Sequence, residues 1–397
     1  MKSEWKTIRA ADFMEFNPRM NLKKGTIATK ISMDKLQPYT KKIPETEQAE
    51  FSGGTKFSNS DTIMARITPC LENGKTAFVD CLNKNEVAFG STEFIVLRAK
   101  PGVSDAQFVY YLATSPEFRQ VAIKSMVGSS GRQRVQQPVL ENLELVVPEL
   151  PKQKRIGGFL AAIDDKIALN AKINDNLEQQ AVALFKSWFV DFSLFGGTVP
   201  ENWEDTTLEN ITTLITRGIA PKYSDNSDQT VVNQKCIRNH TIDLSLARTH
   251  TPKAINEKWL KFGDLLINST GDGTLGRVAQ VWFAPKALTV DSHVTIVRPA
   301  REELIFYIGL WGILHEKEIE SLHTGSTGQT ELPRDRVKKL KLLLPDNISL
   351  SRFNSIIAPM ASTIISNQEE NQKLASLRDT LLPKLMSGEI DVSSIQL

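Results

Sequence analysis

Hydrophobic and polar positions alternate in two regimes along this chain, and each regime occurs twice. In the first, short apolar runs rich in β-branched residues are separated by Gly, Asn and Asp turns: DTIMARI, KTAFVD, EFIVLRA and ENLELVVP, then DLLINST, RVAQVWF, HVTIVRP and VKKLKLLLP. Such runs read as strands. One helical stretch interrupts each set, over Asp105 to Val127 and over Glu302 to Leu322. An α/β (α+β) domain whose sheet curls toward a barrel is the expected architecture of each copy.

The second regime begins after Pro148 and Pro345. Ile156, Leu160, Ile163, Ile167, Asn170, Asn174, Leu177, Ala181, Leu184 and Trp188 are spaced four and three apart without interruption. Phe353, Ile357, Met360, Ile364, Asn367, Asn371, Leu374, Arg378, Leu381 and Leu385 repeat the pattern. Each is a heptad seam on one long helix. Ser193 to Pro200, with a Gly pair and a Pro, closes the first helix, and Pro359 predicts a kink in the second.

The repeat fills almost the whole sequence. Trp5 aligns with Trp203 at an offset of 198, GSTEFIVLRA with VDSHVTIVRP at 200, and everything from Gly128 onward at 197. Two copies in one polypeptide make a pseudo-dimer with two similar, unequal surfaces. The expected segments are a globular domain over 1–150, a helix over 151–192, a second globular domain over 193–345 and a second helix over 346–397. A helix that leaves the second domain and packs on the first helix must run back, giving an antiparallel pair about a pseudo-twofold axis. This circular path brings Leu397 close to Met1. Pairing residues whose numbers sum to 541 sets Asn170 opposite Asn371, Asn174 opposite Asn367, Leu177 opposite Ile364 and Trp188 opposite Phe353. Arg378 is the awkward member, its stem covering the seam while its charge reaches water. Asparagines at such positions fix register at a cost in stability.

Composition changes this picture little. A net charge of +2 with 24% charged residues describes a soluble chain with no strong bulk charge. Three unclustered cysteines (Cys70, Cys81, Cys236) suit a reducing compartment. No apolar run reaches the length of a membrane span, and MKSEWKTIRAADF carries no signal-peptide core. A cytoplasmic location is expected.

The catalytic motifs fail one by one. Gly271 to Gly276 matches G-x-G-x-x-G, but a strand-like run follows where a helix must receive the phosphates, so a tight turn is expected. Gly74-Lys75-Thr76 ends like a phosphate loop, with Pro69 at the first glycine position. The histidines (His240, His250, His293, His315, His323) have no ligand spacing with the cysteines. Asn17-Pro18-Arg19-Met20 lacks the aromatic that stacks a flipped base. Asp164-Asp165-Lys166 lies in the middle of the first seam helix, where solvated charge is expected. A chain of this size without a catalytic constellation is expected to bind rather than react.

The stretch LVVPELPKQKRIGGFLAAIDDKIALNAKINDNLEQQAVALFKSWFVDF resembles the central conserved region of Type I restriction-modification specificity subunits, and LRDTLLPKLMSGEIDV resembles their distal one. Gly218 to Tyr223, VVNQKCIR and INSTGDGTLGRVA are similar to a known second target recognition domain of that family. The resemblance covers the full length. It implies two target recognition domains, each reading one half of a split, asymmetric double-stranded DNA sequence, with the helices as spacer. It also implies two methyltransferase subunits and ATP-dependent restriction/translocase subunits as partners in phage defence. S-adenosylmethionine, ATP and Mg are then expected on those partners and no cofactor on this chain.

Polar side chains able to read base edges sit in Gly-flanked loops before the last strand: Ser129, Ser130, Arg132, Gln133 and Arg134, then Ser326, Thr327, Gln329 and Thr330. The loop recurs at a constant offset while its side chains change, as two readers of different sequences require. Lys23, Lys24, Arg217, Lys222, Tyr223 and Arg277 are further DNA-contact candidates. Two alternatives stay open on the residues alone. One is a fused modification-restriction enzyme, which lacks room for a cofactor domain. The other is a non-catalytic coiled-coil adaptor or fused-dimer DNA-binding regulator working without restriction partners.

Overall fold

A computed structural model describes residues 5–392 apart from 130, 272 and 326–329. Its contacts divide the chain into two units, Met1–Asn170 with Glu369–Leu397, and Ala171–Gln368. The boundary falls inside both long helices, Leu150–Phe189 (helix one) and Asn347–Met386 (helix two). Each unit therefore holds half of each helix.

In the first unit, strands Met14–Phe16, Phe94–Ala99, Thr62–Ala65 and Thr76–Phe78 form an antiparallel sheet in that order. Side chains alternate across it, as the pleat demands. Ile95, Leu97 and Met64 face helices Ala106–Thr114 and Pro116–Lys124 and the seam residues Ile156 and Leu160. Phe94, Val96 and Ile63 face the other way, against Ile31, Phe57 and Ala88 of a second four-stranded sheet. That sheet runs Glu47–Glu50, Ile27–Ile31, Ala88–Gly90, Thr55–Phe57, with its central pair parallel. The expected curl toward a barrel is thus resolved as two separate sheets enclosing a core.

The second unit repeats this layering. Thr212–Arg217, Val294–Pro299, Leu265–Asn268 and Val278–Gln280 form the main sheet. Leu265, Ile267 and Val297 turn toward helix Ile305–Leu314, and Leu266, Val294 and Ile296 toward a smaller sheet containing Val232 and Val290. The single helical stretch expected in each copy is broken. Ser115 adopts an extended conformation, caps Phe118 N–H with its hydroxyl and places Pro116 at the first turn, which ends one helix and starts the next. His315 marks the equivalent break.

One buried ion pair recurs in both units. Arg98 donates through Nε and an Nη to the two carboxylate oxygens of Asp61 at 2.7 and 2.6 Å, and Arg298 does the same to Asp264 at 2.8 and 2.7 Å. In each case the aspartate also accepts a backbone N–H three residues earlier, from Ser58 or Lys261. The planar guanidinium fork suits this two-point contact.

The helices pair antiparallel inside each unit. In the first, the Asn170 side-chain amide donates to Asn371 Oδ1 at 2.9 Å and to Glu370 at 2.7 Å, and Asn371 donates to the Ile167 carbonyl. In the second, Asn367 donates to Asn174 Oδ1 at 2.8 Å, and the Trp188 and Phe353 rings lie 5.6 Å apart. Residue numbers summing to 541 therefore describe the seam in both. Helix two runs unbroken through Pro359. Near the chain ends of the first unit, Gly388 packs under the Trp5 indole, which leaves no room for a side chain there; Met1 and Leu397 themselves lie outside the described residues.

Two expectations about charge on the helices are corrected. Asp164 is buried, accepting a hydrogen bond from the Tyr111 hydroxyl at 2.5 Å and one from Arg378 at 2.6 Å. Arg378 does not send its charge to water, because its side chain is 14% exposed and held by Asp164 and Asp379. Burial alone lowers the affinity of this guanidinium for its proton, but the two aspartates reverse the sign and raise it.

Removing one partner of a buried ion pair strands the other. Arg298→Ala is expected to cost the second unit about 3–5 kcal/mol in chemical denaturation. Arg98→Ala is expected to cost the first unit less, because the Arg98 side chain keeps 28% exposure against 11% for Arg298. Equal losses contradict this ordering.

Candidate nucleic-acid interface

The Gly-flanked loops are closed by the same backbone bonds in both units. Val127 and Arg134 exchange backbone hydrogen bonds of 3.1 and 2.9 Å, closing a short hairpin, and Arg134 also bridges to Ile67. In the second unit Thr324 and Glu331 exchange bonds of 2.8 and 2.9 Å, and Glu331 bridges to Thr270. Val135 then donates to the Arg66 carbonyl, as Leu332 does to the Ser269 carbonyl. Gly128 has φ +137° and Gly325 +100°, backbone conformations that explain glycine at the hairpin's entrance.

The electrostatics of the two hairpins are opposite. The Arg134 guanidinium donates through Nε and Nη2 to Glu93, at 3.0 and 2.7 Å, and these bonds hold the Glu93 carboxyl below its ordinary range. In the second unit the hairpin supplies the acid: Arg217 pairs with Glu331 and donates to the Leu332 carbonyl at 2.9 Å. Arg134 and Arg217 are thus tied down. Arg132 is exposed, with no side-chain bond among the described residues, and Ser129 is exposed beside it. Gln133 is partly buried and its carbonyl accepts from Thr68 N–H. Thr330 is partly buried, while Ser130, Ser326, Thr327 and Gln329 lie outside the described residues.

The remaining candidates lie elsewhere in their units. Lys23 and Lys24 are exposed on the turn before strand Ile27–Ile31, and among the described residues no bond joins them to that loop. Lys222 is exposed, and the neighbouring Tyr223 ring carries the Arg248 guanidinium 3.7 Å from its centroid. Arg277 is partly buried at the end of the turn between Leu265–Asn268 and Val278–Gln280. That turn is the G-x-G-x-x-G run, with Leu275 N–H bonded to the Gly271 carbonyl and no helix after it.

No group of three or more His, Cys, Asp or Glu could hold a metal ion among the described residues. Burial, aided by Asp175, pushes the Glu178 carboxyl up to about 7 in a pocket lined by His240, Trp282 and Phe283, but no Ser, Cys or second acid lines it. No helix of the described residues is long and apolar enough to cross a membrane.

A family model described as the Type I restriction modification DNA specificity domain matches residues 2–179, which include the first hairpin. The chain is 26% identical over 316 residues to the Type I restriction enzyme MjaIX specificity subunit of Methanocaldococcus jannaschii, covering 73% of this chain and 70% of that one. It is 23% identical to the HindI specificity subunit of Haemophilus influenzae, covering 84% and 87% respectively. The chain is a relative of the Type I specificity subunits. Its fold is also that of the Type I restriction-modification S subunit from M. genitalium, with a TM-score of 0.57 at 16% identity over 96% of both chains.

Sequence reasoning picked out Arg134 and Arg217 but missed the acids that hold them at the two loops. Glu93 lies 41 residues before Arg134, and Arg217 lies 114 before Glu331. Thr270, whose hydroxyl contacts His293 Nδ1 at 2.7 Å and Gln234 at 3.1 Å, was also missed. One signal was available: Ile67 and Thr270, Ser58 and Lys261, and Asp61 and Asp264 all share an offset of 203.

Proposed function

We propose that this chain is the non-catalytic DNA-reading subunit of a Type I restriction-modification complex, and that it recognises a split, asymmetric duplex sequence. The observation that carries the reading is a duplicated pair of loop-closing backbone bonds, Val127 with Arg134 and Thr324 with Glu331, with opposite charge at the last residue. One scaffold with two chemistries suits two unequal half-sites. Arg132, which follows Gly131 and whose side chain makes no bond among the described residues, is the base-edge reader we assign in the first unit, since a guanidinium can donate twice to guanine O6 and N7. Ser129, Gln133 and Thr330 are assigned lesser parts, and Lys23, Lys24, Lys222 and Arg277 phosphate contacts. Arg134 and Arg217 serve as struts whose charge is already spent on Glu93 and Glu331.

On this reading the chain directs two methyltransferase subunits and ATP-dependent restriction subunits, and S-adenosylmethionine, ATP and Mg bind there.

Replacing residues 1–150 by the equivalent segment of a relative is expected to change one half of the methylated sequence and leave the other intact, read by genome-wide methylation profiling. A change in both halves contradicts the two-reader proposal, as does methyl transfer by the rigorously purified chain alone. Arg132→Ala is expected to cost about 1–3 kcal/mol at one position of the first half-site. Lys24→Ala should weaken binding about equally across sequences and flatten the salt dependence by about one unit of slope.

A further inference from the structure

The seam that joins the helices does not by itself say which helix should pair with which. Helix one carries a palindromic pattern. Taking the 197-residue repeat from 541 leaves 344, and at that sum Asn170 faces Asn174, Ile167 faces Leu177, Leu160 faces Leu184 and Ile156 faces Trp188. Helix one could therefore lie antiparallel on helix one of a second copy with every apolar and every asparagine position matched. Helix two does the same at 738, where Asn367 faces Asn371 and Phe353 faces Leu385, except that Arg378 falls opposite Met360. A chain with such seams is exposed to exchange between copies.

What breaks the degeneracy is a charge present in one unit only. In the first unit Asp164 and Arg378 meet at 2.6 Å, Tyr111 donates to the same aspartate at 2.5 Å, and both side chains of the pair are mostly buried. The repeat places Ala361 at the position of Asp164 and Ala181 at that of Arg378, both at the offset of 197. Tyr111 falls on Trp311 at the offset of 200 that runs from Arg98/Arg298 to the helix breaks at Ser115 and His315. Ala361 and Ala181 are 1% and 0% exposed and belong to the apolar core of the second unit. One helix–domain junction is thus ionic and its counterpart is aliphatic.

We propose that the Asp164–Arg378 pair is a pairing-specificity device, which commits helix one to helix two of the same chain and excludes a dimer of like-paired helices. The numbers of Asp164 and Arg378 sum to 542, so like pairing sets Asp164 against Ala181 of the second copy and Arg378 against Ala361. Each such dimer buries two aspartates and two arginines apart from each other, and separating a buried charge from its counterion is strongly disfavoured. The asparagines cannot supply this discrimination, because an asparagine faces an asparagine in either arrangement.

The test uses the full chain with Asp164→Ala and Arg378→Ala together, which gives the first junction the residues the second already carries. The wild-type and variant chains are unfolded, refolded at about 0.1 mM, roughly a tenth of the effective concentration within one chain, and analysed by sedimentation. Ile167→Cys with Leu177→Cys reports like pairing. These positions lie about 15 Å apart along one helix at about 1.5 Å per residue, so they form a disulfide only between copies. The wild type is expected to refold as monomer without cross-link, and the double-alanine chain to give roughly a tenth dimer with the cross-link. The charge-exchanged chain, Asp164→Arg with Arg378→Asp, is expected to remain monomeric. A double-alanine chain that stays monomeric, a wild type that forms as much cross-linked dimer, or a charge-exchanged chain that dimerises equally would each overturn the proposal.

Discussion

The structure depends on half of one long helix lying antiparallel on half of the other within each unit. Neither half-seam is wide enough to be a core alone, so each is completed by a globular domain. Ile156 and Leu160 join Phe108 and Leu382 in one unit, and Phe185 and Phe353 join Tyr307 in the other. Register is the property that must not slip, because a shift of one heptad would set buried asparagine amides against leucines at about 1–3 kcal/mol each. Asn170 with Asn371 and Asn174 with Asn367 meet that requirement in their respective units.

On this base the two copies keep their backbone and change their chemistry. The Arg–Asp fork between sheet strands is conserved between them, as is the hairpin that precedes the last strand. At the hairpins the sign of the anchoring charge reverses, and at the helix junction an ion pair in one copy is replaced by alanines in the other. Duplication followed by local change gives two unequal surfaces without rebuilding the fold for each.

Much of this was legible in the sequence. The seams were readable because a heptad is a strictly local regularity, and the main-sheet strands because Phe94, Ile95, Val96 and Leu97 are apolar on both faces of a buried strand. The second sheet was not, because edge strands such as Glu47–Glu50 are short and polar, with nothing periodic to mark them. Asp164 was misread for a related reason. It lies one residue off the seam at Ile163, so a search of seam positions passes it by, and its partners Tyr111 and Arg378 are 53 and 214 residues away. Charge pairs of that separation leave no trace in local pattern.

The central claim is that one hairpin in each copy touches its own part of the DNA target. A hydroxyl-radical-generating chelate tethered at position 132, or at position 330, of the subunit in its assembled DNA complex tests this most directly. The account predicts strand cleavage at two separate places on the duplex, one for each tether, in different half-sites. Cleavage at the same base pairs from both tethers, or at neither, would contradict it.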